Sequence, residues 1–152
     1  MEFKSINQLK SLIDENKISV KEIAQTYIKK IKEKKDLNIF IYFDEDKINN
    51  QVKEIEKLPN NKKLKGIPIA VKDLFCTKNM PTTAASKILE NFNPTYESFV
   101  TQKLINEGSL FVGKTNLDEF AMGSATNTSY FGNTINPLSD NDTPLAPGGS
   151  SG

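Results

Sequence analysis

Tyr96-Glu-Ser-Phe-Val-Thr-Gln-Lys-Leu-Ile-Asn-Glu107-Gly108-Ser-Leu-Phe-Val112-Gly113-Lys114-Thr115 is the run on which the fold assignment turns. Phe99, Val100, Leu104 and Ile105 recur at helical intervals, Gly108 stands where a helix ends in a left-handed residue, and Ser109 to Val112 suits a buried strand. A helix and a strand joined at one glycine are the building step of an α/β chain. The letters from Gly108 to Thr115 also match the phosphate-loop pattern G-x-x-x-x-G-K-[ST]. Their context argues against it. A phosphate loop follows a strand and leaves its variable residues open as an anion nest, whereas here a helix comes first and the residues between the glycines read as strand.

Toward the N-terminus the alternation continues. Ser5 can cap a short helix running to about Asn16, and Ser19 with Glu22 has capping-box spacing before Ile23, Tyr27, Ile28 and Ile31. Lys29, Lys30, Lys32, Lys34 and Lys35 crowd the end of that second helix, where positive charge complements the helix dipole. A solvated face accounts for them, and a polyanion contact is the alternative. Asn38 to Phe43 reads as a strand, Asp44 to Lys57 as a helix with Ile48, Val52 and Ile55 on one stripe, and Pro59 to Lys63 as a turn-rich link. Ile67 to Val71 is then a strand that carries Pro68 near its start, a position that tolerates proline. Beyond Gly108 to Thr115, Asn116 can cap a helical turn with Asp118 and Glu119 near its N-terminus, and a short helical stretch is expected near Ser86 to Asn91. From Met122 onward Gly, Ser, Thr, Asn and Pro dominate, as in a loop region that forms a site.

Composition narrows the chemistry. The chain has 152 residues, 37% of them apolar and 26% charged, and its formal net charge is +1, so no global basic field marks it for nucleic acid. It contains one cysteine, Cys76, and no histidine, which excludes an internal disulfide and leaves no plausible zinc-ligand set. The N-terminal residues lack the apolar core of an export signal, and the longest apolar run, Ile39 to Phe43, is too short to span a bilayer. A cytoplasmic setting is expected, or an organellar one in a eukaryote. Without histidine, proton transfer must fall to Lys, Asp, Glu, Tyr or water.

Lys72 closes the apolar run Gly66-Ile-Pro-Ile-Ala-Val71. A lysine there, drawn out of water, can fall from its ordinary pKa of about 10.4 toward about 7 to 8 and exchange protons with a hydroxyl. An ion pair with Asp73 or another carboxylate explains the same residue equally well. Pro147-Gly-Gly-Ser150-Ser151-Gly152 offers backbone amides and short hydroxyls, although such a string is often only a flexible loop. Asp118 and Glu119 suggest a metal, but a first-turn helix position explains them better.

Gly66-Ile-Pro-Ile-Ala-Val-Lys72-Asp73, Thr82-Thr-Ala-Ala-Ser86, Gly113-Lys-Thr-Asn-Leu-Asp118-Glu-Phe-Ala-Met-Gly123-Ser124 and Pro147-Gly-Gly-Ser-Ser-Gly152 follow one another in the order of the motifs of the amidase signature family, which the chain resembles along essentially its whole length. The likeness is strong from Gly66 onward and general before it. Ser86 to Phe92 and Asp118 to Gly123 are most similar to the branch formed by the A subunits of glutamyl-tRNA(Gln) amidotransferases. This resemblance implies an α/β fold, the N-terminal part of a mixed sheet covered by helices, with two helices at the start. It also implies that residues 1–152 are the N-terminal portion of a single amidase domain.

The family works through a Ser-cis-Ser-Lys set. By position Lys72 matches its lysine and Ser150 its bridging serine, while Gly123, Ser124, Gly149 and Ser151 fall at substrate-binding positions. The attacking serine would lie beyond Gly152, so the 152-residue chain is expected to be inactive alone. The implied reaction is hydrolysis of the glutamine amide, supplying ammonia for conversion of Glu-tRNA(Gln) to Gln-tRNA(Gln), a ligase-type step of protein biosynthesis. Subunits B and C are the expected partners, with tRNA held mainly through B. No cofactor is expected in this chain, ATP and magnesium belonging to the partner subunit. Another carboxamide hydrolase of the same family, or a non-catalytic fragment, remains the alternative.

Overall fold

The computed structural model describes residues 5–140 and 146–148. Two helices open it, α1 (Ile6–Asp14) and α2 (Val20–Glu33). Ser5 accepts a hydrogen bond from the Gln8 amide, and Ser19 and Glu22 form the reciprocal capping box that their spacing predicts. Strand β1 (Phe40–Tyr42) leads into α3 (Glu45–Glu56), which Asp44 caps through the Lys47 amide. Then come β2 (Pro68–Lys72), α4 (Phe99–Asn106) and β3 (Leu110–Thr115).

The three strands form one mixed sheet in the order β1-β3-β2, with β3 antiparallel to β1 and parallel to β2. Leu110 and Val112 of β3 pack with Val20, Ala24 and Ile28 of α2 and with Ile48, Val52 and Ile55 of α3. Phe111 looks to the other side, where it meets Val71 and Met80. A smaller cluster of Leu9, Ile18, Ile23 and Ile67 fastens α1 to this frame. Each such apolar side chain contributes about 1.5–3 kcal/mol when fully removed from water.

Several sequence expectations are corrected. Strand β3 runs on to Thr115 and is buried throughout. Gly113 makes this possible, since a Cβ there would stand 2.7 Å from both the Tyr42 carbonyl oxygen and the Phe40 ring. Helix α4 begins at Phe99, not Tyr96, and only part of its apolar stripe faces the core: Leu104 packs against the Val71, Met80 and Phe111 cluster, Phe99, Val100 and Ile105 are exposed, and its one fully buried residue is Thr101. The stretch near Ser86 to Asn91 is a single 3-10 turn, Lys87–Leu89. Gly108, at φ +85°, does end α4 as read. The lysines of α2 stand in solvent, with Lys29 pairing with Glu33 and Lys32 with Glu45. No helix among the described residues is long and apolar enough to cross a membrane.

Candidate active site

Lys72 is the last residue of β2, opposite Thr115 of β3, and its side chain is half-buried. Its carbonyl accepts the Phe75 amide at 3.1 Å, so the chain turns sharply as it leaves the sheet. Asp73, inside that turn, is fully buried. It donates its amide to Thr115, and its carboxylate accepts the Thr83 amide at 2.9 Å and the Thr83 hydroxyl at 2.5 Å. Its other oxygen, Oδ1, receives no hydrogen bond but lies 3.1 Å from Lys114 Nζ. The ion pair made by Asp73 is therefore with Lys114.

Lys114 is the residue that sequence reasoning misses. It is 0% exposed in the middle of the sheet. Its ammonium reaches the carbonyls of Phe75 (2.9 Å) and Pro81 (3.2 Å) and the hydroxyls of Thr77 and Thr82 (2.8 Å each). Three N–H donors thus serve four acceptors, besides the charge of Asp73. Burial pulls the Lys114 pKa below the ordinary lysine value, and Asp73 works against that pull. Nothing in this strand can wrap a phosphate, in keeping with the rejection of the phosphate loop. The signal that could reveal Lys114 is a charge set directly after a run of buried strand residues.

Asp118 is also corrected. It starts only a three-residue turn, Glu119–Ala121, in which Phe120 and Ala121 have left-handed backbones, and Asn116 caps no helix. Asn116 instead takes the Leu117 amide and the Ser129 hydroxyl on its side-chain oxygen. The fully buried Asp118 carboxylate gathers the amides of Ala125 (3.2 Å), Thr126 (3.0 Å), Asn127 (3.0 Å) and Thr128 (3.4 Å), with the Thr128 hydroxyl at 3.1 Å. Burial pushes this carboxyl up, but hydrogen bonds from Thr126, Thr128 and Asn127 outweigh it and hold its pKa below the ordinary value. Among the described residues no group of three or more His, Cys, Asp or Glu could hold a metal ion.

Gly123 and Ser124 lie on the exposed rim of the loop that Asp118 gathers, and a methyl group built on Gly123 would overlap the Asp118 carboxyl. Backbone bonds join this loop to the Lys72 turn: the Ala84 amide donates to the Asp73 carbonyl, and the Phe120 amide to the Ala84 carbonyl, each at 2.9 Å. On its far side the Thr126 hydroxyl donates to the Gly148 carbonyl at 3.2 Å. Gly149, Ser150 and Ser151 lie outside the described residues. The structure thus brings the loop of Gly123 and Ser124 together with the Lys72 turn and with the residue just before Gly149.

The described part is thus a mixed sheet with a lysine at a strand end, buttressed by a buried acid and by small-residue loops. The chain belongs to the amidase family, whose sequence profile, Amidase, matches residues 22–152. It is similar to the A subunits of the glutamyl-tRNA(Gln) amidotransferases of Pelagibacter ubique (48% identity, 97% of this chain and 30% of the relative) and Zymomonas mobilis (45%, 97% and 31%). Among solved structures it matches an amidase with a TM-score of 0.83 at 25% identity, over 97% of this chain and 34% of that one. The A subunit of the Thermotoga maritima glutamyl-tRNA(Gln) amidotransferase matches with a TM-score of 0.66 at 36% identity, over 89% and 30%. The chain spans about 30% of the length of the curated relatives cited here.

Proposed function

We propose that this chain forms the lysine-bearing part of an amidase that hydrolyses the side-chain amide of glutamine, as the A component of a tRNA-dependent amidotransferase. The observation that carries this reading is the bonded path from the residue after Lys72, through Ala84 and Phe120, to a loop that holds the Gly148 carbonyl two residues before Ser150. In this reading Lys72 takes a proton through Ser150 from an attacking serine contributed by sequence beyond Gly152. The serine oxygen bonds to the amide carbon, the C–N bond breaks, and the same proton leaves with ammonia. Water then cleaves the ester, giving glutamate and restoring the serine.

Gly123, Ser124, Gly149 and Ser151 form the substrate wall in this scheme. The ammonia passes to partner subunits, where ATP and magnesium activate Glu-tRNA(Gln). The relatives' names support this assignment over a general amidase. The higher TM-score of the amidase structure favours, as a second reading, a hydrolase acting on another carboxamide.

The test is ammonia release by the full-length protein that carries this sequence, with glutamine set against other carboxamides. Lys72→Ala is expected to cost about 10²- to 10⁴-fold in kcat with the thermal transition kept. Retained turnover in that variant would remove the relay. Preference for another carboxamide would favour the second reading.

A further inference from the structure

Thr126 is a β-branched residue at φ +51°, a backbone region that such side chains avoid, and it is completely buried. A strained residue persists only where its surroundings hold it, and here Asp118 does so by accepting the Thr126 amide at 3.0 Å. Glycine would suit the backbone better but carries no hydroxyl. The threonine hydroxyl donates to the Gly148 carbonyl at 3.2 Å, while Asn136 Nδ2 donates to the Ala146 carbonyl at 2.9 Å. Among the described residues, the segment entering Gly149 and Ser150 is held by two side-chain donors, Thr126 and Asn136, the first of them on the Asp118 loop. The other end of that loop is tied through Phe120 and Ala84 to the carbonyl of Asp73, the neighbour of Lys72.

We propose that Asp118 and Thr126 are positioning residues of the proton relay: the Asp118 carboxylate folds residues 125–128 so that the Thr126 hydroxyl fixes the Gly148 carbonyl, two residues before the relay serine Ser150. This rests on the amidase reading above, and neither residue touches substrate. Asp118 suits the role because a carboxylate offers only acceptors to five converging donors, whereas an amide of the same shape would turn an NH₂ group toward some of them. Displacing the relay serine slightly lowers the rate of proton transfer, so the effect is read in kcat.

The experiment measures kcat, KM and thermal transition for Thr126→Val, Thr126→Ser and Asp118→Asn in the full-length enzyme with glutamine. Thr126→Val, which keeps the branch and removes the hydroxyl, is expected to lower kcat about ten- to a hundred-fold. Thr126→Ser restores most of that loss. A folded Thr126→Val with wild-type kcat overturns the proposal, and so does a fall that serine fails to rescue. Should Thr126→Val not fold, Asp118→Asn carries the same test, and failure of both to fold also counts against the proposal because it assigns them more than support of the fold. If the wild-type protein itself releases no ammonia from any carboxamide, the amidase reading has failed. An active wild type with an indifferent Thr126 sinks this inference alone.

Discussion

Lys72 and Lys114 stand on paired parallel strands one register step apart, Lys72 opposite Thr115 and Lys114 opposite Val71, yet their surroundings are opposite. Lys72 is half-buried at a strand end, whereas Lys114 is sealed inside with four hydrogen-bond acceptors and a carboxylate. Alternation along a strand explains the difference, since neighbouring positions send their side chains to opposite faces. Lys114 shares the face of Val71, and Lys72 takes the other. The lesson is that two neighbouring lysines on one sheet can differ completely in burial, and that the sealed one is here held by structural partners. Here the sealed lysine holds the turn on which its neighbour stands.

The largest stability effect should come from breaking the sealed pair. Lys114→Met leaves the Asp73 carboxylate buried and unpaired, and should cost about 3–5 kcal/mol in urea denaturation, while Lys72→Met should cost less than about 1 kcal/mol. Equal costs would erase the contrast between the two lysines. Next comes Gly123→Ala, which forces a methyl group against the Asp118 carboxyl and should cost about 1–3 kcal/mol. A double variant with Asp118→Ser that recovers part of this loss would place the clash at that carboxyl.

Acid sharpens the comparison from the anionic side. The folded-state pKa of Asp118 is depressed, so its contribution is fully present above the unfolded carboxyl value of about 3.9 and is lost as pH falls from there through the folded value. Denaturation midpoints measured from pH 6 downward should fall more steeply in the wild type than in Asp118→Asn. Equal slopes would mean that the loop amides do not favour the charged form. The smallest effect is a control far from both lysines. Ser19→Ala removes one side of a helix cap and should cost about 1 kcal/mol without changing either slope.

Much of the frame was legible because local rules sufficed. Ser5 and Ser19 do cap α1 and α2, and Ile48, Val52 and Ile55 do face the core. The sheet end was harder to read for a definite reason. Pairing passes from Ile69–Phe111 to Ala70–Gly113, so β3 carries one extra residue there, and this bulge moves Lys114 onto the side of Phe111. Strict alternation would have placed it with Val112, toward the helices. The loops were hidden by another cause: Ala84, Ala85, Phe120 and Thr126 take left-handed backbones without being glycine, held by partners outside their own turns. Motif resemblance pointed to Lys72, but the surroundings of Lys114 became visible only through contacts across dozens of residues, and those of Asp118 only through a loop that folds back onto it.

Every rung of the sheet ladder passes through β3, because β1 and β2 each pair with it and not with one another. During synthesis from the N-terminus, four helices and two strands leave the ribosome before Leu110 does, and the strands have no template until it arrives. The helices can gather early, but the turn bearing Lys72 acquires its shape only once the middle strand is inserted. Assembly of the turn that bears Lys72 is thereby timed to the last strand of this segment, not to the first one made.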